Sequence, residues 1–175
     1  TSYEAVQRLA EKIRLPVSLC VRQYKKQHKE VAMKTVDKSR AVMVTGGTGY
    51  MASWIVKMLL EQGINDNATV RDPSDVQKVE HLTALAKASP GKLKLFKADL
   101  LDFGSFDEPM QGCELVIHTA SPFFITGIKN PEEELIRPAK EGAKNVLEAA
   151  KRTPTVKRVV LTSSVAAIYG YTAEI

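Results

Sequence analysis

The sequence predicts an α/β fold built on a doubly wound parallel sheet, with helices on both faces. Short apolar runs rich in β-branched residues, such as 159–161, are typical of parallel strands that are buried on both faces. These runs alternate with segments of helical spacing, which is the order of repeated βαβ units. Between the first run and the first helical segment lies the glycine-rich stretch Thr-Gly-Gly-Thr-Gly-Tyr-Met-Ala at 45–52.

The individual elements follow from these runs and from the residues that interrupt them. Strands are predicted at 41–45, 68–71, 93–97, 114–118 and 158–162. Helices are predicted at about 49–62, from 74 to a break at 90–91, for a short stretch from 105, and from 130 to about 151. Gly63 ends the first helix, and Ser74 and Ser105 occupy capping-box positions at the starts of the second and third. In the last helix Asn130 caps the start, and Pro138 predicts a kink or break.

The composition is that of one globular domain. The chain has 175 residues and 44% hydrophobic content, and no stretch approaches the roughly 18 consecutive apolar residues of a transmembrane helix. A signal-peptide pattern is not seen. Cys20 and Cys113 lie far apart without metal-ligand spacing, which favours free thiols in a reducing compartment. We therefore expect a cytoplasmic protein with no metal site and no membrane contact.

The net positive charge of the chain comes from its first forty residues. Residues 1–40 carry a net charge of +6, whereas the rest of the chain carries −1. Nucleic-acid binding by the main domain is not supported, because phosphate contacts would need cations concentrated there. We divide the chain into a basic, partly helical or flexible extension at 1–38 and an NAD(P)-binding domain at 39–175. The extension is interpreted as a solvated arm, with partner binding as the alternative.

The glycine-rich stretch predicts a site for a pyrophosphate. A strand, a glycine-rich turn and a helix in this order direct backbone N–H groups and a helix N-terminus at one point. Gly46 is expected to form the tight turn, Gly49 to let the backbone approach a phosphate, and Ala52 to pack against the strand. The alternative is that these residues serve only the turn and the packing of the helix.

The end of the second predicted strand indicates which dinucleotide fits. Arg71 follows that strand, and its planar guanidinium suits a ribose 2′-phosphate, which favours NADP(H) over NAD(H). Asp72 leaves NAD possible, because an acid at this point can hold a ribose 2′-hydroxyl. The alternative is a solvated Arg71 and an Asp72 that only caps a turn.

Three more strand ends are expected at the same crevice, because ligands of open α/β sheets bind at the carboxyl ends of strands. They are 99–100, 118–122 and 162–164. A hydroxyl there could donate a hydrogen bond to a substrate carbonyl as negative charge develops. Taken alone, each serine is more typical of a loop or cap. His118 lacks a partner at metal-ligand spacing, which favours a packed or cofactor-adjacent histidine.

These segments together resemble the extended short-chain dehydrogenase/reductase superfamily, within its NAD-dependent epimerase/dehydratase class. The branch that is most similar contains dihydroflavonol reductases, cinnamoyl-CoA reductases and aldehyde reductases. The resemblance covers about 39–175 and rests on five stretches: 45–52, Thr-Val-Arg-Asp-Pro at 69–73, Lys-Ala-Asp-Leu at 97–100, His-Thr-Ala-Ser-Pro at 118–122 and Arg-Val-Val-Leu-Thr-Ser-Ser at 158–164. It implies a Rossmann-type fold that binds NADP, with NAD possible.

The resemblance also implies roles for individual residues. Arg71 would read the 2′-phosphate, and Ser164 would be the catalytic serine that polarises the substrate carbonyl. The remaining cofactor contacts are implied at the pyrophosphate (Gly46, Thr48, Gly49, Tyr50, Met51, Ala52), beside the adenine (Asp99, Leu100) and toward the nicotinamide (Thr119, Ala120, Ser121).

One departure from the family is large. Its catalytic acid is a tyrosine with a lysine four residues later, and no tyrosine of this chain has that spacing. In the family the pair follows the serine at a distance that falls beyond Ile175. We therefore expect the N-terminal, cofactor-binding portion of an NADP(H)-dependent reductase of aldehydes or ketones, inactive alone, with the C-terminal part of the fold missing and the fifth strand left as an exposed edge.

Other functions stay open at this point. One is an NAD-dependent sugar-nucleotide epimerase or dehydratase, against which Arg71 counts. Another is a non-catalytic dinucleotide sensor, and the weakest is an interaction protein that uses the basic arm. The expected partner is a small carbonyl substrate, and a homo-oligomer is possible.

Overall fold

The computed structural model describes residues 37–122 and 127–164, all of which belong to one unit of the chain, Val36–Ile175. The predictions for the extension, for Cys20 and for the chain after Ser164 lie outside the described residues. Five parallel strands form one sheet in the order β3-β2-β1-β4-β5. The strands are β1 Val42–Thr45, β2 Asp66–Val70, β3 Leu93–Lys97, β4 Leu115–His118 and β5 Arg158–Leu161.

Helical segments connect the strands. They are α1 Tyr50–Glu61, α2 Val76–Ala88, the short α3 Asp107–Met110, a π-helical turn at Glu132–Ile136, and α4 Arg137–Arg152, which continues from that turn. None of the helices in the described ranges is long and apolar enough to cross a membrane.

Two hydrophobic cores lie on opposite faces of the sheet. The alternation of side chains along β1 directs Val42 and Val44 to one face and Met43 to the other. The first core joins them to Val56 and Leu60 of α1 and to Val79 and Leu82 of α2. The second joins Met43 to Phe106, Met110 and Cys113 and to Val146 and Ala149 of α4. A parallel sheet covered on both faces is the predicted doubly wound α/β fold, which is confirmed.

The strand order reverses at β1. The chain passes from β1 outward to β2 and β3, then returns to place β4 on the other side of β1. Thr45 and His118, the last residues of β1 and β4, are paired across this point. Crossovers leave in opposite directions here, so a crevice opens at the carboxyl ends of the two strands.

Two predicted capping residues are wrong. The side chain that caps α2 is Asp75, which accepts from Lys78 N at 3.3 Å, whereas Ser74 bonds to Asp72. No side chain caps α3, and the Ser105 hydroxyl donates to the Asp99 carbonyl at 3.0 Å. Short polar side chains compete for nearby loop groups as well as for helix N–H groups, and in both cases the loop partner is the one occupied.

The break predicted at Pro138 is present as a change of helix type. Glu134 Oε1 accepts from the Asn130 N–H at 2.8 Å, and the helix begins there as predicted. The π-helical turn follows, with the Arg137 N–H bonded to the Glu132 carbonyl five residues back. Pro138 has no N–H to continue such bonding, and α geometry resumes with it in the first turn of α4.

Within the described residues, β5 is an edge strand of the sheet. β5 pairs with β4, and among the described residues nothing pairs with its outer edge. Its last residues, Val160 and Leu161, are 46% and 50% exposed. An apolar strand edge of this kind is a template for pairing with further chain.

Candidate dinucleotide-binding site

The glycine-rich turn after β1 is closed by backbone hydrogen bonds. Gly46 has φ +68°, a conformation that side chains disfavour, and its carbonyl accepts from Gly49 N at 2.8 Å. Gly47 N donates to the Thr69 carbonyl of β2 at 2.8 Å. A Cβ added at Gly46 would stand 3.1 Å from the Cβ of Ala120. The turn therefore lies between the ends of β2 and β4, and a larger residue at its start would press on Ala120 and adopt a disfavoured backbone conformation.

The helix that follows begins with open donors. Gly49 is the N-cap of α1, no side chain caps the helix, and its first turn has no acid. Thr48 and Gly49 are exposed, Tyr50 and Met51 are 83% and 56% exposed, and Ala52 is buried in the first core. Unpaired N–H groups at the positive end of a helix favour an anion.

Ser53, which the sequence reasoning missed, closes the same turn from inside α1. Its hydroxyl lies 3.1 Å from the Gly47 carbonyl and 2.8 Å from the Gly49 carbonyl. His81 Nε2 of α2 lies 3.0 Å from the same oxygen. A serine one turn into a helix after a glycine-rich loop was the only signal for this role in the sequence.

A second missed residue, Thr45, joins the ends of β1 and β4. Its Oγ1 accepts from Thr119 N at 3.1 Å and from Ala120 N at 3.0 Å, and it lies 2.7 Å from His118 Nδ1. Thr119 returns a bond from its hydroxyl to the Thr45 carbonyl at 2.6 Å. Burial lowers the pKa of His118 below its usual value.

Charged side chains of both signs follow β2. Arg71 is exposed, and its guanidinium makes no ion pair within the described part of the chain. Asp72, beside it, accepts from the Ser74 N–H at 2.9 Å and from the Ser74 hydroxyl at 2.6 Å. These bonds lower the pKa of Asp72, and the charges of Lys97 and Lys78 lower it further. Asp72 therefore has the turn-capping geometry, while Arg71 is open to a ligand.

The loop after β3 is held by α4. Asp99 Oδ1 accepts from the Leu101 N–H at 2.9 Å, and Asn145 Nδ2 donates to the Leu100 carbonyl at 2.8 Å. A Cβ at Gly142 would lie 2.8 Å from the Leu100 side chain, so α4 packs closely on this loop. Asn145 and Gly142 were not predicted, because their partner is more than forty residues away in sequence.

The two serines of the prediction lie on neighbouring strand ends. Ser121 is exposed, and its hydroxyl makes a long 3.5 Å contact with the Pro122 carbonyl. Thr162 N donates to the His118 carbonyl at 3.0 Å, which continues the pairing of β4 and β5 past the end of β5. Ser164 follows two residues later and is exposed. The predicted residues thus occupy successive positions along one edge of the sheet rather than a single cluster.

Metal binding has no support in the described ranges, where no three His, Cys, Asp or Glu side chains could hold an ion together.

Comparison with known proteins identifies the family. The profile of the NAD dependent epimerase/dehydratase family matches residues 42–175. The chain belongs to this family. It is 51% identical to a cinnamoyl-CoA reductase of Medicago truncatula over 136 residues and 47% identical to a dihydroflavonol 4-reductase of Solanum lycopersicum over 137 residues. Each match covers 78% of this chain.

Solved structures agree with the sequence relatives. Vestitone reductase from alfalfa gives a TM-score of 0.57 at 38% identity, and covers 73% of this chain. Yeast methylglyoxal/isovaleraldehyde reductase, complexed with NADPH, gives a TM-score of 0.63 at 33% identity, and covers 74%. The predicted resemblance to the reductase branch is confirmed. This chain spans only 36–41% of the length of these curated relatives and 37–38% of the two structures.

Proposed function

We propose that the chain is the cofactor-binding portion of an NADP(H)-dependent reductase that converts an aldehyde or ketone to an alcohol. The order of the strand ends carries the proposal. The strands β2, β1, β4 and β5 are successive neighbours in the sheet. The residues that follow them are, in the same order, Arg71, Gly46, Thr119 and Ser164. A dinucleotide laid along this edge would meet a cation at its 2′-phosphate, open N–H donors at its pyrophosphate, and a hydroxyl beyond its nicotinamide.

Electrostatics at the end of β2 support NADP(H) over NAD(H). The unpaired guanidinium of Arg71 offers two parallel N–H donors to a phosphate. The Asp72 carboxylate, which could have held a ribose hydroxyl, is engaged by Ser74. Lys97 at the end of β3 adds positive charge near the same place. The NADPH complex of the yeast reductase supports the same choice.

The residues of this chain account for part of the proposed chemistry. When bound, the nicotinamide cofactor supplies hydride to the carbonyl carbon. The Ser164 hydroxyl donates a hydrogen bond to the carbonyl oxygen, where negative charge develops. The alkoxide also needs a proton, which the family takes from a tyrosine with a lysine four residues later. No tyrosine in this sequence has that spacing, and so we expect binding without turnover.

Cofactor choice tests the binding part of the proposal. We expect the chain to bind NADPH about ten-fold or more tightly than NADH, as charge-assisted bonds to one phosphate would give. Arg71→Gln should remove that preference and leave NADH affinity unchanged, as measured by fluorescence titration. Arg158→Gln is the matched control, because Arg158 is exposed at the opposite end of the sheet. Equal affinity for the two dinucleotides in the unaltered chain would contradict the assignment.

A turnover assay tests the second part of the proposal, that the chain binds the cofactor without catalysing the reduction. The purified chain should show no carbonyl-dependent oxidation of NADPH in a spectrophotometric assay with aromatic and aliphatic aldehydes. Activity that Ser164→Ala abolishes would contradict the expected need for a further proton donor.

The family match also favours a second candidate, an NAD-dependent sugar-nucleotide epimerase or dehydratase. Tightly held NAD in the purified protein would support it and would contradict the role given to Arg71.

A further inference from the structure

We infer that Thr45 and His118 form a positioning pair that sets the cofactor-facing wall of the crevice by fixing the backbone at Thr119 and Ala120. The inference deepens the proposed function and rests on it for the identity of the ligand. Neither residue needs to touch the cofactor. Their task is to hold the loop after β4 against the glycine-rich turn after β1.

The hydrogen-bond pattern of Thr45 determines the protonation of His118. A threonine hydroxyl has one proton and two acceptor lone pairs. The N–H groups of Thr119 and Ala120 occupy both acceptor positions. The hydroxyl proton is then directed to His118 Nδ1, 2.7 Å away, which must accept it. His118 is therefore neutral and carries its proton on Nε2, because a proton on Nδ1 would face an oxygen with no free lone pair.

Burial makes this pattern hard to replace. Thr45 is 0% exposed and His118 is 3% exposed. Removal of the hydroxyl leaves a buried ring nitrogen and two part-buried backbone N–H groups without their partner. Among the described residues, the hydrogen bond that would still join this loop to β1 is that of the Thr119 hydroxyl to the Thr45 carbonyl.

The pair is coupled to the phosphate turn by contact. Ala120 lies against Gly46, and a Cβ built on Gly46 would stand 3.1 Å from Ala120 Cβ, closer than an ordinary van der Waals contact. On the other side, the His118 carbonyl accepts from Thr162 N at 3.0 Å. A shift of the loop at 119–120 would thus displace both the turn proposed to receive the pyrophosphate and the segment that leads to Ser164.

The first experiment measures NADPH affinity in matched variants of the full chain. Thr45→Val keeps the shape and loses the hydroxyl, and it should weaken binding about ten-fold, the equivalent of one to two net hydrogen bonds. Thr45→Ser restores the hydroxyl and should bind within about two-fold of the unaltered chain. Thr153→Val is the control for a purely structural loss, because Thr153 is 4% exposed and its hydroxyl bonds to the Ala149 carbonyl at 2.9 Å. It should lower thermal stability and leave NADPH affinity unchanged.

The second experiment does not depend on the cofactor. Nitrogen-15 NMR of the unaltered chain should show His118 with an unprotonated Nδ1 and a protonated Nε2 at neutral pH. The amide protons of Thr119 and Ala120 should be protected from exchange, and Thr45→Val should abolish that protection.

The outcomes separate the two proposals. If NADPH does not bind the unaltered chain but the tautomer and protection are as expected, the proposed function fails and the positioning pair stands as a feature of the fold. A proton on Nδ1 in the unaltered chain would overturn the inference. So would a Thr45→Val variant with unchanged affinity, or a Thr153→Val variant that weakens NADPH as much. If Thr45→Val does not fold, Thr45→Ser and the tautomer measurement decide.

Discussion

The sheet buries polar side chains at both ends of its strands, under opposite conditions. At the carboxyl ends of β1 and β4, the Thr45 hydroxyl has three partners and holds two backbone N–H groups. At the amino end of β2, Asp66 is 0% exposed, and among the described residues neither carboxylate oxygen has a hydrogen-bond partner. The same degree of burial therefore accompanies a satisfied group at one end and an orphaned group at the other.

The orphaned group changes the chemistry around it. Burial raises the pKa of Asp66 well above its usual value, and an interaction with the Val44 backbone, which falls short of hydrogen-bond geometry, lowers it in part. Burial, together with the charge of Asp66, also raises the pKa of the Cys113 thiol to about 11. Burial thus favours the neutral form of both groups. At the crevice, the buried polar group links the end of β1 to the loop after β4, whereas at the amino end the buried carboxyl has no hydrogen bond among the described residues to offset its burial.

Replacement of Asp66 should give the largest change in the free energy of unfolding. Asp66→Val has a similar volume and removes an unsatisfied buried carboxyl, so the free energy of unfolding at neutral pH should increase by about 2 kcal/mol. Urea unfolding followed by circular dichroism measures it. Asp102→Val at an exposed position should stay within about 0.5 kcal/mol of the unaltered chain. A less stable Asp66→Val variant would show that the carboxyl has a partner that compensates its burial.

The free energy of unfolding should depend on pH with opposite slopes for Asp66, at the amino end of its strand, and His118, at the carboxyl end of its strand. Folded Asp66 keeps a proton that the unfolded chain releases above 3.8, so its stabilising contribution is complete below that pH and is lost as the pH rises through the folded pKa. Folded His118 binds a proton less readily than the unfolded chain, so its contribution is lost as the pH falls below 6.5. Each slope can reach about 1.4 kcal/mol per pH unit.

Variants assign each slope to its residue. Asp66→Asn should remove the decline above 3.8, and His118→Gln should remove the decline below 6.5, in urea unfolding repeated over a pH series. Identical pH profiles for Asp66→Asn and the unaltered chain would contradict the orphaned state of Asp66.

The fold could be predicted from the sequence wherever local pattern and tertiary packing agree. β-branched runs and glycine or proline breaks placed four of the five strands within about one residue, which is the usual uncertainty of an element boundary. The exception is β2, which begins at Asp66 rather than at the predicted residue 68. Asp and Asn disfavour strands, and pairing with β1 and β3 on both sides overrides that preference.

For the candidate site, the sequence could predict which residues follow each strand but not which side chains they contact. Carboxyl ends of parallel strands meet at one edge, which placed Gly46, Arg71, Thr119 and Ser164 without any contact being known. The contacts that support the site were missed for a different reason. Thr45 and His118 are 73 residues apart, and Asn145 and Leu100 are 45 apart, so each pair exists only through register and helix packing. No local pattern carries that information.

The two long helices that cover the first core differ at their starts. α2 carries its own acceptor, Asp75, whereas α1 begins at Gly49 with no side chain to close its first turn. Under the proposed function, the phosphates of the dinucleotide would complete α1 in the way that a capping side chain completes α2. Folding of this helix and occupancy of the crevice would then rise together, so that the ligand acts as a structural component of the domain.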